Sequence, residues 1–488
     1  MDSAVIEEIK QLREQVDGLG KRFSAIEGGS AQDSISERVQ QSKPKKFIAG
    51  ELLYVAIMGV RGHGMKHVNN FLNLPDCYIS HLCDVDLEVG NKAADYVLQV
   101  AGYRPKVVQD FRHALDDKRV DILSIAAPHH WHAPAAIWAL QAGKHVYLEK
   151  PVSHTFLEGE AIIAAAKKYG KYVQAGTQLR SNNSLRAAAE FISKGGIGSC
   201  NLAQCITYKP RPSMVAGPQA VIPPDVNYDL WCGPAQNNAP NRAKLHYDWH
   251  WFWEFGNGAL GNNGIHRIDA ARIALGLRGF GTLAFSYGGR FGDPDSGETP
   301  NVQSSIHRFG KTWIFHDVVG LPKRAYRGVK NGIIFYGTDG LVIYQNGVAS
   351  VAEPDGTVIS TFPGSQENHY RNFVDAIIED NAERLNGNLY DCHVSSGLCH
   401  LGNISYRLGT PVGDDEIARS LQQLGGPQEI TMQLSRLRKN LESNKCPDAQ
   451  FKMGRMLSID PKNGHILNDP EAAGLMGKTY RQGYGFGF

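Results

Sequence analysis

A short loop at residues 59–64 has the residue types that bind a phosphate group. It follows an apolar run of strand length at 52–58 and precedes a helical stretch that ends near residue 74. The loop contains Gly59, Arg61, Gly62, His63 and Gly64. Glycines at such a turn allow backbone N–H groups and a helix N-terminus to face a pyrophosphate. The second glycine of the common G-x-G-x-x-G pattern is replaced by Arg61, whose charge lies either near the phosphate or in solvent.

An acidic residue at a suitable distance supports a dinucleotide site. Asp84 ends the apolar run 78–84 and follows Gly59 by about 25 residues, near the spacing of the acid that binds the ribose 2′-hydroxyl. A carboxylate there repels a 2′-phosphate, so the sequence favours NAD over NADP. NADP stays open because the neighbouring His63 can tolerate a phosphate. The alternative for Asp84 and Asp86 is a turn-capping role.

Alternating apolar strands and helices predict the fold that positions these residues. Apolar runs at 121–127, 144–149 and 172–176 continue the pattern begun by the first two runs. Continuous apolar strands separated by helices are typical of a parallel sheet covered on both faces. We therefore predict an α/β protein with a doubly wound Rossmann domain over 52–180.

After residue 180 the strands become longer and more alternating. We predict strands at 201–208, 281–291, 303–318 and 332–344, with helices at 263–275 and 369–378. This pattern predicts a C-terminal α+β domain with a large open, mainly antiparallel sheet that buries one face. We assign substrate binding and oligomerisation to residues 181–460, and we predict a C-terminal arm over a neighbouring surface at 461–488.

The first residues follow a different pattern. Apolar residues recur at alternating steps of four and three over 1–27, which predicts an amphipathic or coiled-coil helix, and the polar stretch 28–51 is typical of a linker. The alternative is an amphipathic helix docked on its own domain. Self-association is favoured because the apolar seam is narrow, so we expect a homo-oligomer, either a dimer or a tetramer.

Two further motifs follow predicted strands. Residues 128–132 read Pro-His-His-Trp-His, and residues 149–151 read Glu-Lys-Pro. Together with the glycine loop, they resemble the glucose–fructose oxidoreductase and inositol dehydrogenase family, often written Gfo/Idh/MocA, over roughly residues 52–410. The resemblance implies an NAD(P)-dependent oxidoreductase that acts on a secondary alcohol of a sugar, a sugar derivative or a cyclitol.

The resemblance also assigns site residues. It implies that Lys150 reaches the substrate beside the nicotinamide, that Pro151 follows a cis peptide bond, and that His266 is the catalytic histidine. The acid that the family carries four residues earlier is here Asn262. Histidine suits the base of an alcohol oxidation because its ordinary pKa of about 6.5 is near working pH. The alternative for His266 is a packed structural histidine. Further cofactor contacts are implied for Pro128, His132 and Glu149.

Other polar and aromatic residues are predicted to contact the substrate. Gln178, Arg180 and Asn182 follow a strand of the parallel sheet, where ligand sites open. Trp249 and His250 belong to an aromatic run at 247–253 that suits the apolar face of a sugar ring, although a packed core or subunit contact is equally compatible with it.

Two other functions are compatible with the same residues. The first is a redox-neutral NAD-dependent glycoside hydrolase or lyase that works through a 3-keto intermediate, which extra bases such as His250 leave open. The absence of a Tyr-x-x-His-Gly motif argues against the N-acetylgalactosaminidase branch of this group. The second is a non-catalytic dinucleotide-binding sensor, a reading supported by Arg61 and Asn262.

Composition narrows the class of partner. Lys and Arg total 51 against 49 for Asp and Glu, so no basic footprint for nucleic acid is present. No apolar run is long enough to span a bilayer, and no secretory signal is visible, so we expect a cytoplasmic protein without a membrane partner. Eight scattered cysteines fit reduced thiols. Cys392, His393, Cys399 and His400 give only a weak zinc pattern, so we predict no metal.

Overall fold

The computed structural model describes residues 51–214, 221–240, 242 and 244–486. The predicted helix at 1–27 and all but the last residue of the predicted linker at 28–51 lie outside this part of the chain. In the part that is described, no helix is both long and apolar enough to cross a membrane.

The first half of the described chain is built on a parallel sheet, as predicted. Its six strands are β1 (Leu53–Met58), β2 (Cys77–Cys83), β3 (Lys106–Val108), β4 (Val120–Ile125), β5 (His145–Leu148) and β6 (Val173–Ala175). Their order is β3-β2-β1-β4-β5-β6, and every pair is parallel. Because this order reverses between β1 and β4, a crevice opens at their carboxyl ends, where ligands bind in such folds.

Helices connect these strands. They are α1 (Gly64–Leu72), α2 (Leu87–Ala101), α3 (Arg112–Leu115), α4 (His132–Gln141) and α5 (Phe156–Tyr169). Alanines along α4 and α5 allow these two helices to pack closely in one buried cluster with β4 and β5. The Glu158 carboxylate accepts hydrogen bonds from the His154 and Thr155 backbone N–H groups at 2.7 and 2.9 Å, which fixes the start of α5.

The second half carries a sheet of twelve strands. They are β7 (Leu202–Tyr208), β8 (Leu283–Gly289), β9 (Val302–Phe309), β10 (Thr312–Val319), β11 (Asn331–Tyr336), β12 (Leu341–Gln345), β13 (Val348–Ala352), β14 (Val358–Phe362), β15 (Thr410–Val412), β16 (Phe451–Met453), β17 (Leu457–Ile459) and β18 (Ile466–Leu467). The main path runs β14-β13-β12-β11-β7-β10-β9-β8-β16-β15, while β17 pairs with β8 and β18. Only β7 and β10 pair in parallel, which confirms the mainly antiparallel prediction.

Two of the predicted strands are hairpins. The stretch predicted as one strand at 303–318 turns at Gly310, which has a φ of 62°, and the stretch at 332–344 turns between β11 and β12. Each predicted strand was wrong because it runs through a polar turn. Gly-Lys at 310–311 separates β9 from β10, and Gly-Thr-Asp-Gly at 337–340, which contains an Asp-Gly hairpin signal, separates β11 from β12.

Helices cover both faces of this sheet. The helices after β6 are α6 (Asn183–Ser193), α7 (Tyr228–Cys232), α8 (Ile265–Ala274), α9 (His369–Ile378), α10 (Leu389–Arg407), α11 (Asp414–Gln423), α12 (Gln428–Ser443) and α13 (Pro470–Gly474). Of these, α6, α8 and α10 pack on one face. The opposite face shares a buried cluster with α11 and α12. The expectation of a single buried face was therefore wrong, because Leu421 and Leu437 fill the second face from within the chain.

The end of the described chain lies over the parallel-sheet half. The Tyr484 ring contacts the rings of Trp131 and Trp138, with centroids 5.6 and 6.2 Å apart. The Arg481 guanidinium donates to the Asp229 carboxylate at 2.7 Å. These contacts connect residues 476–486 to α4 and α7.

Candidate cofactor and catalytic site

The glycine loop leaves no room for side chains where it turns. A Cβ at Gly64 would lie 1.8 Å from the Gly59 carbonyl oxygen. Gly59 has a φ of 80°, and a Cβ there would lie 2.9 Å from the Ala126 carbonyl oxygen. Gly62 has a φ of 52° and open space around it, and Arg61 is exposed. The chain therefore passes from β1 into α1 in a turn that exposes backbone N–H groups, as pyrophosphate binding requires.

Asp84 closes this loop from the end of β2. Its carboxylate accepts from the Val60 backbone N–H at 2.9 Å and from the Asp86 N–H at 3.1 Å. Burial raises the pKa of Asp84 to about 6 in spite of these hydrogen bonds. The capping alternative applies to Asp86, whose side chain accepts from the first N–H groups of α2.

A cavity of about 630 Å³ extends from the loop along the ends of β2 and β4. That volume is within the range of cofactor sites. Predicted cofactor residues that line it are Gly59, Arg61, Gly62, His63, Asp84 and Pro128, and Trp249 and His250 also line it. Gly64, His132, Glu149, Lys150, Gln178, Arg180, Asn182, Asn262 and His266 are not among its lining residues. The glycine cradle, the acid and the cavity fit a dinucleotide.

A segment that the sequence did not reveal covers this cavity. We call residues 221–250 the cofactor strap; ten of them, from Val221 to His250, line the cavity. The strap is bonded to the β2–α2 loop, because Asn227 N–H donates to the Val85 carbonyl at 2.8 Å and Leu87 N–H donates to the Asp225 carbonyl at 3.1 Å. The loop that holds Asp84 is thus also held by the strap.

Three further contacts hold the strap. His246 lies 3.1 Å from the Asp86 carboxylate. The Trp131 indole N–H donates to the Leu230 carbonyl at 3.1 Å, and Arg481 pairs with Asp229 on α7. The strap is therefore bonded to both the parallel-sheet half and the end of the chain.

The predicted catalytic lysine meets the second half of the chain. The Lys150–Pro151 peptide bond is cis, as the resemblance implied. The Lys150 Nζ donates to the backbone oxygen of Asn262 at 2.8 Å and to its Oδ1 at 3.1 Å. Burial lowers the pKa of Lys150, and the Glu149 carboxylate opposes this shift. Asn262 belongs to a π-helical turn at Leu260–Gly264, a rare element that is frequent at functional sites.

His266 lies on the first turn of α8, which follows the π-helical turn directly. Its ring has no hydrogen-bond partner within the described ranges. Burial lowers the pKa of His266 well below its usual value, and the charge of Lys150 lowers it further. At neutral pH the imidazole is uncharged and has a nitrogen that accepts a proton.

A polar cluster surrounds Glu149 on the other side of Lys150. Its Oε1 lies 3.1 Å from His63, 3.2 Å from His67 and 3.2 Å from the Gln178 amide nitrogen. A Cβ at Gly176 would lie 2.5 Å from this oxygen, so a glycine is needed there. Burial opposes ionisation, but the hydrogen bonds from the two histidines hold the pKa of Glu149 well below its usual value.

His129 belongs to the Pro-His-His-Trp-His motif, but the sequence does not identify it as a site residue. Its ring contacts Trp249 at 4.8 Å, and its Nδ1 lies 3.0 Å from the Asn257 Oδ1. Trp249 stacks on His250 at 3.7 Å. The position of His129 depends on contacts between distant segments, which no local signal records. His132, in contrast, lies 2.7 Å from the Pro151 carbonyl and 3.0 Å from that of Ala127.

Two predicted substrate residues are engaged elsewhere in the fold. The Arg180 guanidinium donates to both Asp269 carboxylate oxygens, at 2.9 and 2.7 Å. Asn182 caps α6 by accepting from the Leu185 N–H and donates to the Gly347 carbonyl. Neither side chain lines the large cavity.

The weak zinc pattern on α10 does not form a ligand group. The Cys392 thiol contacts the Thr177 hydroxyl at 3.2 Å, and His393 packs between the rings of Phe156 and Phe280. Among the described residues, the group whose ligand atoms come within 4.8 Å of one another is His63, His67 and Glu149.

Comparison with known families agrees with this geometry. Residues 53–177 match the model described as "Oxidoreductase family, NAD-binding Rossmann fold", and residues 214–281 match that described as "Oxidoreductase family, C-terminal alpha/beta domain" of the same family, Gfo/Idh/MocA. The second match spans the strap, the π-helical turn and His266.

Similar proteins include glycosidases and dehydrogenases. An α-N-acetylgalactosaminidase of Shewanella oneidensis is 30% identical over 125 residues, which are 25% of this chain and 27% of that protein. A glycosyl hydrolase family 109 protein of Saccharopolyspora erythraea is 30% identical over 155 residues, 31% of this chain and 34% of that protein. The chain thus matches about a quarter to a third of the length of these curated relatives.

Solved structures share the fold. The WlbA dehydrogenase from Bordetella pertussis, in complex with NADH and UDP-GlcNAcA, has a TM-score of 0.54 at 17% identity and covers 72% of this chain and 95% of its own. An oxidoreductase from Thermotoga maritima, TM0312, has a TM-score of 0.55 at 17% identity and covers 72% of this chain and 96% of its own.

Proposed function

The chain belongs to the Gfo/Idh/MocA oxidoreductase family, by its matches over 53–177 and 214–281, and we propose that it oxidises or reduces a secondary alcohol of a sugar, sugar derivative or cyclitol with NAD. One observation carries the proposal: the Lys150 amine donates to the Asn262 backbone oxygen at 2.8 Å, and Asn262 lies one helical turn before His266, whose ring has no hydrogen-bond partner among the described residues. An amine donor and a neutral imidazole side by side are what alcohol oxidation needs.

Each side chain has a distinct part in this reaction. NAD bound at the glycine loop supplies the hydride acceptor at the nicotinamide. His266 accepts the hydroxyl proton because burial keeps its imidazole neutral. Lys150 gives two of its N–H groups to Asn262, and its third donates to the substrate oxygen, where it stabilises the negative charge that develops as the proton leaves. Asn262 positions Lys150 without adding a carboxylate charge.

Asp84 supports NAD rather than NADP as the cofactor. Its carboxylate lies at the end of β2 and lines the cavity beside the glycine loop. A 2′-phosphate placed there would meet a buried acid, while a ribose hydroxyl would donate to it.

The test is a nucleotide and turnover assay on the purified protein. We expect NAD to bind and a sugar or cyclitol from a panel to produce absorbance at 340 nm at a rate that depends on His266. The His266→Ala variant should keep its nucleotide and lose most of this rate. Full activity in that variant would refute the catalytic assignment and would favour a different base. Nucleotide binding without turnover on any compound would favour a sensor.

A second candidate, redox-neutral cleavage of a glycoside, is favoured by the strap. In that reaction carbon 3 is oxidised, the carbon 2 proton leaves, the glycosidic bond breaks, water adds, and the hydride returns to the sugar. The oxidised cofactor is regenerated in each cycle, so turnover does not require it to dissociate. The strap is bonded to the Asp84 loop and to Arg481, which suits a retained cofactor. Curated relatives are also named as glycosidases.

Arg481→Gln is expected to loosen the retained cofactor. It removes a partly exposed ion pair between the end of the chain and the strap, so we expect NAD to dissociate about three- to fivefold faster. Stopped-flow displacement of NADH fluorescence measures this rate. Arg455→Gln, which breaks an exposed ion pair with Asp469 instead, is the matched control. Equal dissociation rates in both variants would show that Arg481 does not retain the cofactor.

A further inference from the structure

Two cations lie at the end of β7 without an acidic partner. Lys209 follows β7 directly, and Arg211 lies two residues later. No carboxylate comes within 4 Å of either side chain among the residues the structure describes, although other surface arginines of the chain are paired. Lys209 is exposed and Arg211 is half-buried, so an anion from outside can reach both cations.

Other cations surround the same place. Burial lowers the pKa of Lys150, and the charge of Lys209 lowers it further. Burial likewise lowers the pKa of His250 to about 3, with smaller contributions from the charges of Lys150 and Arg211. The nearby Glu149 is already held by two histidines and Gln178.

Arg211 is held in a defined position. Its guanidinium donates to the Tyr247 hydroxyl at 2.5 Å and lies over the rings of Tyr247 and Trp251, at 5.9 and 5.7 Å from their centroids. The remaining N–H groups keep the planar fork that matches a carboxylate or a phosphate.

A small cavity joins these cations to the catalytic turn. It has a volume of about 40 Å³ and is lined by Lys209, Arg211, Trp251 and Asn263, the residue after Asn262. A second arginine in the lining, Arg290, is neutralised by Asp295 and donates to it twice. The volume holds about three water molecules, which is the size of one oxyanion group and too small for a sugar ring.

We propose that Lys209 and Arg211 bind an anionic group, a carboxylate or a phosphate, on the sugar that reacts at Lys150 and His266. The inference rests on the proposed function and narrows its substrate class to acidic sugars. The ring lies over the catalytic turn, and its anionic group enters the small cavity beside Trp251. Neutral sugars leave both cations unpaired and bind more weakly.

The test is calorimetric binding to the NAD-loaded protein, which requires no turnover. The probes are D-glucuronate, D-galacturonate, D-glucose 6-phosphate and D-glucose. We expect at least one of the three acidic probes to bind at least tenfold more tightly than glucose, and its affinity to fall as salt rises. The uronates and the phosphate ester distinguish a carboxylate site from a phosphate site.

Two variants locate the binding. Arg211→Gln and Lys209→Gln should each weaken the best acidic probe about tenfold and leave glucose unchanged. Lys311→Gln, an exposed lysine in the turn before β10, is the control and should bind as the parent does. The proposal is overturned if glucose binds as tightly as the acidic probes, if no acidic probe binds, or if both variants bind normally.

The two proposals fail separately. Acidic probes that bind through Arg211 but give no reduced nucleotide would contradict the oxidoreductase assignment and leave the anion site in place. Turnover on neutral sugars with Arg211→Gln unaffected would contradict the anion site alone.

Discussion

We expect Lys150→Met to lower kcat/KM for sugar oxidation by about 10²- to 10⁴-fold, because it removes the donor to the reacting oxygen. The nucleotide content should not change, since Lys150 does not line the large cavity. Steady-state rates with NAD and the accepted sugar measure the effect. Lys144→Met is the matched control: Lys144 is a buried lysine at the opposite end of β5 and donates to the Asp117 and Val120 carbonyls.

The pH profile of the Lys150→Met variant tests whether the charge of Lys150 lowers the pKa of His266. The neutral imidazole is the accepting form, so activity is present above the pKa of His266 and is lost as pH falls through it. Burial and the charge of Lys150 both lower that pKa. Removing the charge raises the pKa, so the acid limb of the residual activity should move to higher pH. A limb that stays in place would assign the titration to another group.

Arg180→Met is expected to destabilise the fold by about 3–5 kcal/mol, because it leaves the Asp269 carboxylate buried without its cation. Asp269 is 1% exposed and accepts two hydrogen bonds from Arg180 and one from Ser395, at 2.7 Å. Thermal unfolding followed by calorimetry measures the loss. Arg186→Met, which breaks an exposed pair with Glu367, is the control and should cost about 0–1 kcal/mol.

The same experiment addresses the substrate role predicted for Arg180. The double variant Arg180→Met/Asp269→Leu should recover part of the stability, because the buried Asp269 charge is removed together with its partner. Recovery is not complete because the buried Arg272 also loses the favourable charge of Asp269. If Arg180→Met retained the stability of the parent and raised KM instead, the substrate role would be favoured over the ion pair.

The local pattern of apolar runs and glycines was enough to predict the parallel sheet and the glycine loop that follows β1. Both signals are contiguous: an apolar run, a glycine turn and an acid at the end of β2 lie in order along the chain. The resemblance likewise placed Lys150 and His266, because each lies within a short motif. The hairpins at Gly310 and at 337–340 were missed although their polar turn residues, which include an Asp-Gly pair, are present in the sequence.

The position of the cofactor strap could not be predicted from the local sequence pattern. Residues 221–250 are rich in proline and asparagine and have no strong periodicity, apart from the short helix α7. Their position depends on contacts with Val85 and Leu87, which are more than a hundred residues earlier. The aromatic run at 247–253 is visible in the sequence, but the edge-to-face contact of Trp249 with His129 is not.

Helices α11 and α12 close the second face of the large sheet with residues from the same chain. Phe285 and Phe315 on the strands share one buried cluster with Leu421 and Leu437 on the helices. A change of volume at either phenylalanine therefore needs a matching change within 414–443 to keep this cluster filled. We expect residues on this face of the sheet to vary together with the helices of the same chain that cover it.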